Sequence, residues 1–76
     1  MDELIKAVVC PLVDYPEDVR IIAEQEASRV NYTLSVNKED MGKVIGKHGR
    51  TASAIRSVVH AAGLSHQENV TLTIQE

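Results

Sequence analysis

Aromatic side chains are nearly absent from this 76-residue chain, which has Tyr15 and Tyr32 but no Trp and no Phe. A mechanism that stacks bases or sugars on aromatic platforms therefore has almost nothing to use. The length also excludes a catalytic cleft between two domains, because a domain of this size buries only about 60% of the surface of its unfolded chain. Apolar residues still make up 43% of the sequence, which favours one folded domain over residues 1–76.

Cysteine and long apolar runs are also scarce. Cys10 is the only cysteine, so no internal disulfide can form, and a thiol-ligated zinc site would need ligands from elsewhere. The longest apolar run, residues 7–13, is far shorter than the roughly 20 residues of a membrane span. The acidic start Met1-Asp2-Glu3 has the wrong sign for a secretory or transit peptide. We expect a cytoplasmic protein with no membrane segment, no metal and no cofactor.

Acidic residues are missing from residues 41–67, although the whole chain has 11 acids against 8 Lys and Arg. This stretch instead holds four basic residues and all three histidines: Lys43, Lys47, His48, Arg50, Arg56, His60 and His66. A local positive region on a chain of net charge −3 favours an anionic ligand bound at one place. A solvated surface without a ligand is the alternative.

Hydrophobic periodicity predicts a helix and two strands in the first half of the chain. The helix runs from Asp2 to Val13, and Pro11 bends or restarts its last turn. A strand from Val19 leads into a hairpin loop at Glu26–Arg29. A second strand then alternates apolar and polar side chains from Val30 to Asn37.

The second half predicts two helices and a last strand. Asn37 is a suitable N-cap for a short helix whose apolar side includes Val44 and Ile45. A second helix starts at about Thr51, with Gly63 as its C-cap. Alternation over residues 70–75 then predicts a strand. The order helix, strand, strand, helix, helix, strand indicates an α+β fold.

The glycine loop, Gly46-Lys47-His48-Gly49, separates the two helices. Its glycines permit backbone angles closed to other residues and let a ligand approach the main chain. The loop leads directly into a helix N-terminus, where free N–H groups and the helix dipole attract phosphate. With Lys47 and His48 as additional donors, this arrangement predicts a clamp for an extended phosphate backbone.

Other glycine motifs fit these residues poorly. A nucleotide P-loop has four residues between its glycines, whereas Gly42 and Gly46 have three, and His48 follows Lys47 where Ser or Thr is needed. A dinucleotide fingerprint requires a strand before the glycines, but residues 41–45 are typical of a helix.

The run Val44-Ile45-Gly46-Lys47-His48-Gly49-Arg50 resembles the signature of a KH domain, in which a GXXG loop clamps about four nucleotides. The element order resembles the type II KH topology, which implies a three-stranded sheet covered on one face by helices. Pro11–Asp14, Glu39–Gly46 and Arg50–Arg56 are similar to the KhpA family of small bacterial RNA-binding proteins. This similarity extends over essentially the whole chain.

The resemblance implies a cytoplasmic protein that binds single-stranded RNA and acts as an RNA chaperone or regulator. It further implies a KhpB-type KH-containing partner and a role in cell-wall homeostasis and cell elongation. Together, the residue chemistry and the resemblance predict RNA contacts at Lys43, Ile45, Gly46, Lys47, His48, Gly49, Arg50, Thr51, Ser53 and Arg56. One position departs from the family: His48 stands where such proteins often carry Lys or Gln.

Two other functions remain open. A helix–turn–helix DNA reader also has two helices around a turn, but it needs long base-reading side chains where this chain has Thr51, Ala52, Ser53 and Ala54. A KH-shaped module that binds only protein is the other alternative. An enzyme is not expected, because no catalytic set of Ser, His and acidic residues converges in the sequence.

Val58 and Val59 are adjacent on the second predicted helix, which can turn only one of them fully into the core. The other valine would lie near the helix flank, where association could cover it. We expect this surface to form a homodimer or to bind the KH-containing partner.

Overall fold

The computed structural model describes residues 1–75 and has the predicted element order. Its α-helices are α1 (Asp2–Val9), α2 (Met41–Ile45) and α3 (Arg50–Ser65). Its strands are β1 (Arg20–Glu26), β2 (Arg29–Ser35) and β3 (Asn69–Gln75). Short 3-10 turns cover Cys10–Leu12, Pro16–Asp18, Lys38–Asp40 and Lys47–Gly49. The predicted α+β architecture is confirmed.

The sheet has the order β1-β2-β3. β1 and β2 form an antiparallel hairpin in which Glu26 is paired with Arg29, so that Ala27 and Ser28 make the turn. β2 and β3 are parallel, with Arg29 opposite Asn69 and Ser35 opposite Gln75. A parallel pair requires a long crossover, and here that crossover contains α2, the glycine loop and α3.

The helices cover one face of the sheet, and the core lies between the two layers. Alternate residues of β2 and β3 point into this core, while the opposite face is polar. On that open face, Asn31 Oδ1 accepts hydrogen bonds from the hydroxyls of Thr71 and Thr73. The buried core side chains are Ile5, Val9, Val19, Tyr32, Leu34, Val44, Ala52, Ile55, Val59, Val70 and Leu72.

Two predicted helix ends differ from the structure. α1 ends at Val9, and Pro11 lies in the separate 3-10 turn that follows, because proline cannot donate the hydrogen bond that would continue the helix. The prediction of Gly63 as a C-cap is wrong, since α3 continues to Ser65. Gly63 is instead a close-packing site: a Cβ there would lie 2.7 Å from Val70 Cγ2 of β3.

Candidate functional site

The glycine loop turns the chain sharply between α2 and α3. Gly46 has φ +75° and ψ 176°, a conformation that is essentially restricted to glycine. A Cβ at Gly46 would also collide with the Thr51 side chain. His48 and Gly49 follow in the left-handed region with φ of +57° and +72°, and α3 begins at the next residue. The loop is therefore a tight turn that opens onto the N-terminus of α3.

Three cationic or protonatable side chains gather on this turn. Lys47, His48 and Arg50, here called the loop cluster, are exposed and line a surface depression of about 230 Å³. Within residues 1–75, neither Lys47 nor Arg50 forms an ion pair. Their positive charge is therefore available to an anion that approaches the first turn of α3.

An apolar groove lies beside the loop. It has a volume of about 300 Å³ and separates α2 and the start of α3 from the end of β3. Ile45 is half-buried in this groove. The small residues Gly49 and Ala52 leave the side of the groove open. Its lining residues are Met41, Ile45, Gly49, Ala52, Arg56 and Ile74.

A second depression of about 400 Å³, the α3–β3 cleft, continues along the same border. Arg56 lines both cavities and so joins them. Its Nε donates to the backbone oxygen of Leu72 at 3.3 Å, and His60 Nδ1 lies 3.4 Å from the backbone oxygen of Val70. The cleft is lined by Ser53, Arg56, Ser57, His60, Val70, Thr71 and Leu72. The groove and the cleft thus adjoin at Arg56, and the groove begins at Gly49 of the glycine loop.

Lys43 has a different environment from the loop cluster. Its ammonium group donates a hydrogen bond to the carboxylate of Asp14 and forms an ion pair with it. This hydrogen bond raises the pKa of Lys43 above its ordinary value of 10.5. Lys43 is thus already partnered, and a nucleic-acid phosphate would have to compete with Asp14 for it.

Asp40 positions α2 and was not identified from the sequence. Its side chain is fully buried, and its two carboxylate oxygens accept the backbone N–H groups of Asp14 and Tyr15, each at 3.0 Å. These bonds tie the segment after α1 to the residue that precedes α2. No local pattern distinguishes Asp40 from the exposed Glu39 beside it, so only the tertiary contact shows its role.

The predicted cap at Asn37 is confirmed. Its Oδ1 accepts a hydrogen bond from the Glu39 N–H at 2.8 Å, and its Nδ2 donates to Asp18 Oδ2 at 2.8 Å. One amide thus starts the turn before α2 and also fixes the chain ahead of β1.

The other predicted residues lie along α3. Thr51 packs under Gly46, and Ser53 lines the α3–β3 cleft. Val59 belongs to the core with 1% exposure, whereas Val58 is 45% exposed on the outer side of the helix. The structure thus separates the two valines as helical geometry requires.

Residues 1–75 contain neither a cluster of metal ligands nor a membrane-spanning helix. No group of three or more His, Cys, Asp or Glu side chains is placed to hold a metal ion. None of the helices in that range is both long enough and apolar enough to cross a membrane.

Comparison with known proteins supports the resemblance seen in the loop. The family model described as "KhpA/KhpB, KH domain" matches residues 2–74. The RNA-binding protein KhpA of Listeria monocytogenes is 53% identical over 76 residues, covering all of both chains. The RNA-binding protein KhpA of Bacillus subtilis is 49% identical over 74 residues, which is 97% of this chain and 91% of the relative. This chain therefore belongs to the KhpA/KhpB family of KH domains.

Proposed function

We propose that this protein binds single-stranded RNA and holds its phosphate backbone at the glycine loop. The observation that carries the proposal is the exposed loop cluster, Lys47, His48 and Arg50, whose Lys47 and Arg50 form no ion pair within residues 1–75 and which lies where the glycine loop opens onto α3. Relatives that match over their whole length are named RNA-binding proteins. We assign binding rather than catalysis to the site.

Phosphate binding at this loop would combine two sources of attraction. The start of a 16-residue helix carries the positive end of the helix dipole and the N–H groups of its first turn, of which that of Arg50 already donates to the Lys47 oxygen. Lys47 and Arg50 add full charges beside them. Because Gly49 has no side chain and its Cβ position faces open space, an RNA backbone can approach this N-terminus closely.

Bases would lie in the apolar groove and the α3–β3 cleft. Ile45 and Ile74 offer apolar contact, and the small residues Thr51 and Ser53 allow a strand to approach α3 closely. Arg56 is placed to contact either a base or a phosphate. Lys43 would contact RNA at the edge of the groove, once its ion pair with Asp14 has broken. A single strand with exposed bases fits such a groove better than a duplex does.

Family membership also supports a proposal about the wider role of the protein. We propose that the protein acts in the cytoplasm as a chaperone-like regulator of RNA, together with a KhpB-type KH-containing partner, in cell-wall homeostasis and cell elongation. The family description, which joins KhpA and KhpB, supports this partnership. A reciprocal pull-down of the two proteins from cells, with and without ribonuclease, tests it.

The clamp itself is tested by the double variant Lys47→Asp/His48→Asp. Both side chains are exposed on the loop, so the fold should persist while two negative charges repel phosphate. We expect RNA affinity to fall by at least about tenfold, because binding to a strand depends on neutralised phosphates. The matched control is Lys6→Asp/His66→Asp, which makes the same charge change away from the loop.

Gel shifts with single-stranded RNA and with duplex DNA, beside circular dichroism melts, give the readout. Equal RNA binding by the folded loop variant and by its control would refute the clamp. A preference for duplex DNA would favour the helix–turn–helix interpretation, and no nucleic-acid binding at all would favour a protein-only module.

A further inference from the structure

The two edges of the sheet differ in whether side chains cover their outward backbone groups. On the edge at β3, the side chains of Arg56 and His60 reach the outward backbone oxygens of Leu72 and Val70. On the edge at β1, no side chain within residues 1–75 reaches the outward backbone groups of residues 21, 23 and 25. One edge is therefore covered by α3, and the other is open.

The register of the hairpin identifies the open groups. Glu26 and Arg29 flank a two-residue turn, so they form a hydrogen-bonded pair, and such pairs alternate along an antiparallel ladder. Ile22 and Glu24 therefore bond to β2. The backbone N–H and C=O groups of Ile21, Ala23 and Gln25 point away from it.

This open edge carries the charged side chains of Arg20, Glu24 and Glu26 but lacks the other usual protections against pairing. β1 has seven residues and contains no proline, no glycine and no lysine, although such edges are commonly blunted by proline, lysine or a bulge. Ile22, near its middle, is 55% exposed on the polar face of the sheet. A free ladder edge next to an exposed apolar side chain indicates a docking surface for another strand.

The charges of β1 are self-complementary about Ile22. Arg20 lies two residues before Ile22 and Glu24 lies two residues after it, on the same face of the strand. Arg20 uses one nitrogen, Nη1, to donate to the backbone oxygens of Glu17 and Val19, which leaves its other N–H groups available. Glu24 forms no ion pair within residues 1–75.

We propose that two copies of this chain pair antiparallel through β1, with the two-fold axis at Ile22. Ile22 then faces Ile22 of the second copy at a non-hydrogen-bonded position, where opposed side chains are closest. Arg20 faces Glu24 of the second copy on both sides of that contact. Ile21 and Ala23 exchange backbone hydrogen bonds with Ala23 and Ile21 of the second copy.

The pairing joins the two sheets into one of six strands and leaves both nucleic-acid grooves free. The grooves lie along β3, at the edge opposite β1. The β1 contact is also distinct from a contact through Val58, because α3 packs on β3 rather than on β1. It does not depend on the proposed RNA binding.

Charge reversal tests the pairing. Arg20→Glu alone and Glu24→Arg alone each oppose like charges at two places, and we expect each to weaken self-association about tenfold. A one-to-one mixture of the two variants restores both attractive pairs, so it should associate as the unchanged protein does. The matched control is Glu26→Arg alone, which makes the same charge change outside the paired residues and should associate as the unchanged protein does.

Sedimentation equilibrium measures the association, in a Val58→Asp background that removes any contact through α3. Amide hydrogen exchange by NMR locates it: the N–H groups of Ile21 and Ala23 should become protected as protein concentration rises from micromolar to millimolar. Protection that does not change with concentration, a mixture that fails to recover, or a Glu26→Arg protein that associates as weakly as Arg20→Glu would each overturn the proposal. Should a β1 variant unfold, the exchange measurement on the Val58→Asp protein decides alone.

Discussion

Asp40 is a buried carboxylate whose two oxygens each accept one backbone hydrogen bond. Asp40→Asn keeps the shape but replaces one acceptor with an NH₂ group that faces an N–H donor. We expect the free energy of unfolding to fall by about 1–3 kcal/mol, the usual cost of an unsatisfied buried group. Urea denaturation measures the change. The exposed change Glu17→Gln is the control and should stay within about 0.5 kcal/mol of the original protein.

Tyr32 makes the fold sensitive to alkali. Burial raises the pKa of its phenol above the ordinary value of 10.0, and Asp2 and Glu68 add to the effect. A raised pKa means that the folded state holds the proton more tightly. Its contribution to stability is therefore complete below pH 10 and is lost as the pH rises through the folded-state pKa.

The melting temperature should accordingly fall above pH 10, and Tyr32→Phe should make that fall shallower. The fall should not vanish, because a hydrogen bond with Glu39 raises the pKa of Tyr15, and the bond to Asp14 raises that of Lys43. Both raised pKa values also lower the stability of the fold as the pH rises. Thermal melts from neutral to alkaline pH check this, and identical curves for the two proteins would contradict it.

At the scale of elements, the two loop glycines should respond differently to substitution. Gly46→Ala forces a side chain into a glycine-only conformation and against Thr51, whereas Gly49→Ala enters open space in the left-handed region. We expect Gly49→Ala to cost about 1 kcal/mol of stability and Gly46→Ala clearly more. Chemical denaturation of the two variants side by side measures the difference. Equal losses would show that the contact with Thr51 relaxes freely.

Elements in which apolar and polar residues alternate regularly were predictable from the sequence. Residues 30–36 and 70–75 alternate because each strand has one buried face, and the glycine loop is marked by its own residues. Gly63 was misread because a glycine near a helix end looks like a cap, while the close approach of α3 to Val70 decides its role. The Asp14–Lys43 pair spans 29 residues and exists only after the chain folds, so no local pattern could reveal it.

At the scale of the whole molecule, substitutions at Val58 and Val59 distinguish self-association from folding. Val58 is exposed and Val59 is in the core. We expect dimers through Val58 at micromolar concentration; Val58→Asp should abolish that contact in a folded chain and leave only the association through β1, whereas Val59→Asp unfolds the chain by burying a charge. Sedimentation and circular dichroism distinguish these outcomes, with the neighbouring exposed change Ser57→Asp as the control. A wild-type monomer throughout that range would contradict the interface.

The parallel pairing of β2 with β3 also fixes when the site comes into existence during synthesis. The hairpin of β1 and β2 closes through a two-residue turn and can form as soon as residue 35 is available. The groove, by contrast, needs Ile74 of the last strand as one of its walls. Because such distant pairing is slow and comes late, a nascent chain displays the basic loop before it has a groove beside it. Tight RNA binding should therefore begin only when β3 has emerged from the ribosome.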